Sequence, residues 1–277
     1  MNDPRFIIDT HVHFWNPAQV NYFWLTPHLE RLDRAFLPFD LEPELRDGWV
    51  SKAVFVQASH DPKENSYALE LARKHPWIAG VIGWVNLEIA MVGAALDSLM
   101  QDASFKGVRH LVHTESDPHW LLRPAVQRGL SALEERGLSF DLVLREDQWA
   151  SALEVAQQHP HLTLILNHLG NPPSDRSGLE RWQVWLHQIA ASPNVYAKFS
   201  GLTAHPQAAR IAAFALAAFG PERLMFGSDW PISVGRDTYP QQRVVAQELI
   251  ATDSRAFWAD TAARVYRLIA KDAVTPR

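Results

Sequence analysis

The sequence predicts a (β/α)8 TIM barrel, a single domain over residues 1–277, and three observations predict it. Short β-branched runs alternate with helix-period segments. The runs are apolar on both faces, as parallel strands covered by helices are. Side chains able to do chemistry gather at the carboxyl ends of those runs. The strand-like runs are 6–13, 52–58, 78–85, 106–112, 139–144, 162–168, 194–200 and 223–229. A doubly wound open sheet is the alternative, but the glycine-rich phosphate loop it needs after the first strand is missing.

The helical segments follow in order. Ser66 to His75 is stopped by Pro76, and Met91 to Ala103 is rich in helix formers. Pro124 to Arg136 has proline in its first turn and Gly137 just past its last. Glu146 to His159, Leu179 to Ala191, Gln207 to Phe219 and two segments near the C-terminus complete the set. The connection after the first strand differs from all of these. From Phe14 to Trp49 it carries Trp15, Tyr22, Phe23, Trp24, Phe36 and Phe39 with little helical pattern. So long a loop is usually a lid or binding loop. Its aromatic side chains either cover a substrate or pack the loop onto the barrel, and Trp24, midway along, is the candidate lid residue.

Composition narrows the function classes. The chain has 277 residues, 47% of them hydrophobic, which is enough for one large core. A formal net charge of −5 with mixed signs offers no basic face for nucleic acid and no basic amphipathic stretch for a membrane surface. With no cysteine, thiolate chemistry and disulfides are excluded. The first ten residues lack the regions of a signal peptide and no apolar run approaches membrane-spanning length, so a cytoplasmic protein is expected.

The chemistry is carried by the strand ends. In Asp9-Thr10-His11-Val12-His13, strand parity sends both imidazoles to one face, roughly 6–7 Å apart. Such a pair can hold a metal ion or polarise a carbonyl oxygen. A third histidine, His168, ends the run 162–168, and Asp229 ends the last one. The other strands contribute Gln57 and His60, Trp84 and Asn86, Arg109 and His113, Asp141 and Arg145, and Lys198 and Ser200.

Three segments together, Asp9 to His13, Asn167-His168-Leu169-Gly170 and Gly227-Ser228-Asp229-Trp230-Pro231, resemble the amidohydrolase superfamily. More narrowly, they resemble its metal-dependent TIM-barrel hydrolase branch, which holds sugar lactonases of the L-fuconolactonase and L-rhamnonolactonase types and 2-pyrone-4,6-dicarboxylate lactonase. The likeness continues through Phe36-Leu37-Pro38, Lys106-Gly107-Val108-Arg109 and the stretch Ala259 to Leu268. One departure stands out. Superfamily members commonly draw a further histidine from strand five, where this chain reads Phe140-Asp141-Leu142-Val143-Leu144-Arg145. A zinc site needs three or four ligands. His11, His13, His168 and Asp229 are the candidates, and the usual set is incomplete. The expectation is therefore that no cofactor is required, with one divalent ion such as zinc as the alternative.

The resemblance implies hydrolysis of a lactone, a small-molecule substrate. Asp229 would be the general base, and His11, His13 and His168 would orient water and polarise the carbonyl. Arg109 is a candidate donor to the carbonyl or a carboxylate, or closes a salt bridge across the mouth. Lys198 is a candidate for substrate hydroxyls, or for an internal ion pair. Gln57 and Asn86 are candidate hydroxyl readers, and Trp84 and Trp230 candidate stacking faces or barrel seals. Amides and tryptophans are at least as numerous as cations at these ends, which favours an aldonolactone such as a 6-deoxy-sugar lactone over a pyrone dicarboxylate. A metal-dependent decarboxylase and a catalytically silent sugar-binding barrel are the other readings. The set His11, His13, His168 and Asp229 argues against silence, because binding alone needs no base.

Overall fold

A computed structural model describes residues 6–202, 204–233, 238–251 and 254–268. Eight strands lie in sequence order in one all-parallel sheet: β1 (Ile7–Val12), β2 (Val50–Val56), β3 (Ile78–Gly83), β4 (Phe105–His110), β5 (Ser139–Leu142), β6 (Thr163–Leu166), β7 (Val195–Phe199) and β8 (Leu224–Phe226). The ends of the sheet meet at its carboxyl edge. There Asp229 N–H donates to His11 O at 2.9 Å and His13 N–H to Trp230 O at 2.8 Å. A helix follows each strand: α1 (Pro38–Asp47), α2 (Lys63–Lys74), α3 (Val92–Leu99), α4 (Pro124–Glu135), α5 (Trp149–Gln158), α6 (Arg176–Ala190), α7 (Ala208–Phe219) and α8 (Tyr239–Ile250). This is the expected (β/α)8 barrel.

Every strand stops short of the end its apolar run suggests. The residues beyond leave the ladder and turn over the mouth, in 3-10 turns at Val112–Thr114 and Asn167–Gly170. Apolar character continues there because Leu111, Val112 and Leu169 are buried, so composition alone cannot mark where pairing ends.

Two apolar layers hold the barrel. The larger packs helices against the outside of the sheet, with Leu96, Leu130, Val155, Leu186 and Ile211 fully buried. The inner one joins Ile8, Val54, Val56, Ile82, Ile165 and Met225 to Ala262, Tyr266 and Leu268 from the segment after α8. That segment, a π turn (Ala256–Asp260) and a short helix α9 (Thr261–Val265), spans both layers. Phe257 and Trp258 pack on Phe199 and Phe226 in the larger one, and the residues from Ala259 on close the inner one.

The long loop after β1 is stapled rather than free. Trp15 is fully buried, and its indole N–H donates to Leu32 O at 3.2 Å and Arg34 O at 2.8 Å. Trp24 stands edge-on to it at 5.1 Å and donates to Ala58 O at 2.7 Å, next to the mouth. No helix among the described residues is long and apolar enough to cross a membrane.

Candidate active site

Two strand ends are bent to bring the reactive groups together. In β1 the register slips between Asp9 and Val12, where three steps on β1 face two on β2. Asp9 fixes this irregularity. Its Oδ1 accepts from the His11 and Ser228 N–H groups, each at 3.0 Å, and its Oδ2 accepts from the Tyr239 hydroxyl at 2.9 Å. Beside it Gly227 must stay bare, since a Cβ there would come within 2.9 Å of the His11 Cβ. His168 and Asp229 themselves sit at φ 53° and 61°. Side chains other than glycine rarely adopt this left-handed conformation, and when they do it is often at a functional site.

The groups converge more closely than simple parity predicts. His11 Nε2 and His13 Nε2 are 3.2 Å apart. Asp229 Oδ1 lies 3.5 Å from the first, 3.4 Å from the second and 3.9 Å from His168 Nε2. A carbonyl can only accept, so the contact of His13 Nδ1 with Val56 O at 2.7 Å puts the His13 proton on Nδ1 and turns the Nε2 lone pair to the centre. His168 Nδ1 is held by Ser200 Oγ at 2.8 Å. Behind His11, Lys198 Nζ lies 3.4 Å from Nδ1 and is itself paired with Asp141 at 2.6 Å. In front, Arg109 Nη1 lies 3.3 Å from His11 Nε2.

Burial keeps the imidazoles neutral. It holds His11 well below the ordinary histidine range, with Lys198 adding to the effect. It also lowers His13, against the pull of Asp229, and brings His168 down to about 4. Burial alone would raise Asp229, but His168, His13 and Arg109 outweigh it and leave its pKa below the ordinary carboxylate value. With the histidines uncharged, Arg109 is the standing cation beside this carboxylate. Burial lowers it only to about 10, so it stays protonated at neutral pH.

His11, His13 and Asp229 fit a metal ion in geometry. Their ligand atoms lie within 4.8 Å of one another. Separations of 3.2, 3.4 and 3.5 Å are close to the edge of about 3.3–3.4 Å expected for a tetrahedron with zinc–ligand distances of ~2.0–2.1 Å. Charge works the other way, because a dication would join Arg109 and Lys198 in the same buried volume.

These groups form the floor of a cavity of about 340 Å³ lined by His13, Phe23, Trp24, Ala58, Arg109, Leu111, His113, Thr114, Val143, His168, Asn171, Asp229 and Ile232. The structure thus brings Asp229, His13, His168, Arg109 and Trp24 to one cavity, with His11 directly beneath. Five other candidates lie elsewhere. Lys198 is fully buried under His11 in the internal pair with Asp141, not at the cavity surface. Gln57 is fully buried too: it accepts from Arg109 Nε at 2.9 Å and donates to Ser59 O at 2.7 Å, so it orients the arginine. Asn86 is exposed and caps the Glu88 N–H. Trp84 donates to His110 and stacks on His60, outside the cavity lining. Trp230 packs between Phe14 and Phe36 as a seal.

Sequence reasoning missed Ala58, Leu111, Thr114, Val143, Asn171 and Ile232 as cavity lining, and placed His113 at a strand end without giving it a role. Parity could have found two of them, since Leu111 and Val143 lie two residues beyond the inward-facing Arg109 and Asp141. His113 and Asn171 lie in turns, where alternation has stopped.

Comparison with known proteins agrees with this geometry. Residues 8–268 match the model of the amidohydrolase family. An L-fucono-1,5-lactonase from Burkholderia ambifaria is 33% identical over 235 residues, covering 82% of this chain and 81% of the relative. Another L-fucono-1,5-lactonase, from Burkholderia multivorans, is 31% identical over 284 residues, covering 94% and 96%. A crystal structure of an amidohydrolase from Burkholderia multivorans with bound zinc superposes with a TM-score of 0.88 at 29% identity, covering 95% of this chain and 100% of that one. With this match extending through all eight strands and the clustered His-His-Asp set, the chain belongs to the amidohydrolase family.

Proposed function

We propose that the chain hydrolyses a neutral sugar lactone, an aldonolactone such as a 6-deoxy-sugar lactone, with Asp229 as the base. One observation carries this reading. A buried carboxylate, surrounded by three imidazoles at 3.4–3.9 Å, opens onto a cavity sized for a single ring. Asp229 would take a proton from water as the water oxygen bonds to the lactone carbonyl carbon. It would then return that proton to the ring oxygen as the ring C–O bond breaks, releasing the hydroxy acid. His13 and His168, neutral and fixed by Val56 and Ser200, orient the water. Arg109 is suited to the carbonyl oxygen. Three of its five N–H groups are engaged by Gln57 and His11, which leaves two to meet the developing negative charge.

The lining favours a neutral substrate. Arg109 is the one lysine or arginine among the described lining residues. Lys198 is spent on Asp141, and Arg145 on Asp147 and the His113 and Glu115 carbonyls. A pyrone dicarboxylate would bring two fixed charges to a single cation. A divalent ion held by His11, His13 and Asp229 would acidify water and polarise the carbonyl. The likeness to a zinc-bound relative supports such a site, and the flanking cations support weak occupancy. A pH-indicator assay over aldonolactones, including L-fuconolactone, and pyrone dicarboxylate tests the reading. Acid release from the neutral lactones and none from the dianion is expected, and the reverse order overturns it.

A further inference from the structure

One histidine in the cavity wall is unlike the others. His13 and His168 are fixed by hydrogen bonds on one ring nitrogen and face Asp229 with the other. His113 also lines the cavity, yet its Nδ1 is buried with no hydrogen-bond partner. Its backbone, by contrast, is clamped on both sides. The His113 N–H donates to Val143 O at 3.1 Å, and its carbonyl accepts from Arg145 Nη1. The rest of the turn is held by Gln148 Nε2 on Val112 O and Thr114 Oγ1 on Leu111 O, both close contacts at 2.8 and 2.7 Å. The turn is therefore a rigid mount for an unengaged ring, which is how preorganised recognition groups are built. The ring has no hydrogen-bond partner among the described residues, and because Nδ1 is closed off even with the cavity empty, Nε2 is the nitrogen left to meet a substrate group.

We propose that His113 is a specificity-determining residue that hydrogen-bonds a ring hydroxyl of the substrate. This rests on the lactonase reading above. Burial brings the His113 pKa down to about 4, and Arg109, His168 and Arg145 add to the effect, so the ring is neutral in use. A neutral imidazole carries its proton on either nitrogen, so Nε2 can present an N–H or a lone pair, and a hydroxyl can accept from the one or donate to the other. The neighbouring cavity wall is apolar at Leu111, Val143 and Ile232 and cannot serve a hydroxyl. A hydroxyl directed at His113 is therefore satisfied, and one directed at that apolar wall is stripped of water without compensation. This would make the cavity selective for configuration as well as size.

The test compares wild type, His113→Phe and His113→Gln on L-fuconolactone and on the three analogues that each lack one ring hydroxyl. Phenylalanine keeps the ring and removes both nitrogens, and glutamine restores a polar group near the Nε2 position. For the phenylalanine chain kcat/KM should fall about ten- to a hundredfold on L-fuconolactone. It should stay within about twofold of wild type on one of the analogues, and glutamine should recover part of the loss. An equal fall on all four lactones, or no fall on any, overturns the assignment. Calorimetric Kd values for the ring-opened fuconate and its deoxy counterparts separate this inference from the reading beneath it. If wild type binds them but hydrolyses no lactone, the lactonase reading fails and the pattern of Kd judges His113 by the same rule. If wild type binds none of them, both fail.

Discussion

Asp141 and Asp229 are both buried carboxylates on inward-facing positions of the same barrel, and their surroundings divide them. Asp141 is fully enclosed, with the Lys198 ammonium at 2.6 Å and the Tyr266 hydroxyl at 3.2 and 3.4 Å. Asp229 has only neutral imidazoles at 3.4–3.9 Å, and its side chain keeps 12% of its surface open to the cavity. A carboxylate saturated by a close cation and a phenol holds structure together. One with spare lone pairs, a loose shell and access to a cavity can accept a proton and give it back. The difference lies in the partners rather than in the residue, which is why both read alike as aspartates near strand ends.

Amide substitution breaks the comparison most sharply. Asp229→Asn should lower kcat by about two orders of magnitude or more with little change in melting. Asp141→Asn should do the reverse. It leaves Lys198 buried without its counter-charge, and breaking such a pair typically costs about 3–5 kcal/mol. Kinetics and denaturant titration on both chains decide. A fully active Asp229→Asn chain would remove the base from the mechanism. The double change Asp141→Leu with Lys198→Met removes both charges, so it should cost less stability than the single change.

Prolonged chelation sharpens the role of Asp229. If Asp229 works as a base in its own right, substantial lactonase activity should remain after metal removal. Any ion added back should then be weakened by His11→Asn. Complete loss on chelation with recovery on adding zinc would show that Asp229 serves first as a ligand.

The long first loop carries a second contrast, between two tryptophans in edge-on contact. Trp15 is fully buried with two carbonyl partners, whereas Trp24 is half-buried and lines the cavity. Trp15→Ala should cost about 3–5 kcal/mol of folding free energy. Trp24→Ala should chiefly raise KM, with a smaller drop in melting temperature. A large loss of stability with unchanged kinetic constants in Trp24→Ala would make it packing alone.

Much of this was legible before the fold was seen. The alternation of runs announced the barrel, and His11, His13, His168 and Asp229 stood out because each lies at the carboxyl end of an apolar run. A register slip in β1 and left-handed turns after β6 and β8, rather than parity, aim them at one point. What escaped was whatever depends on partners. Lys198 and Gln57 have the chemistry of substrate readers, yet one is used up by Asp141 and the other by Arg109. Asp9 carries no role in the pattern of the first run, yet it clasps β1 to the loop after β8. His113 lies past the end of the ladder, where no period indicates its direction.

The smallest expected effect concerns the histidines of the mouth wall. His60 stacks on His110 at 4.2 Å and on Trp84 at 5.2 Å, and its Nε2 accepts from the Leu111 N–H at 3.1 Å. Burial lowers both histidines to about 4, against a value near ~6.5 in an unfolded chain. Between those values the unfolded state binds protons that the folded state refuses. Stability is then fully present above about pH 6.5 and declines as pH falls towards 4. Asp229, with its lowered pKa, loses its contribution only at more acidic pH. Glu64, pushed up to about 8 by burial although the Ala58 and Ser59 N–H groups pull it down, acts in the opposite direction within the same window. The difference between two chains therefore carries the test, rather than the raw slope. His60→Gln keeps an acceptor for Leu111 and removes one titrating group, so its melting temperature should fall less steeply than wild type between pH 6.5 and 4.5. Parallel curves would mean that His60 is protonated as easily in the folded mouth as in the open chain, and that the stack does not exclude charge.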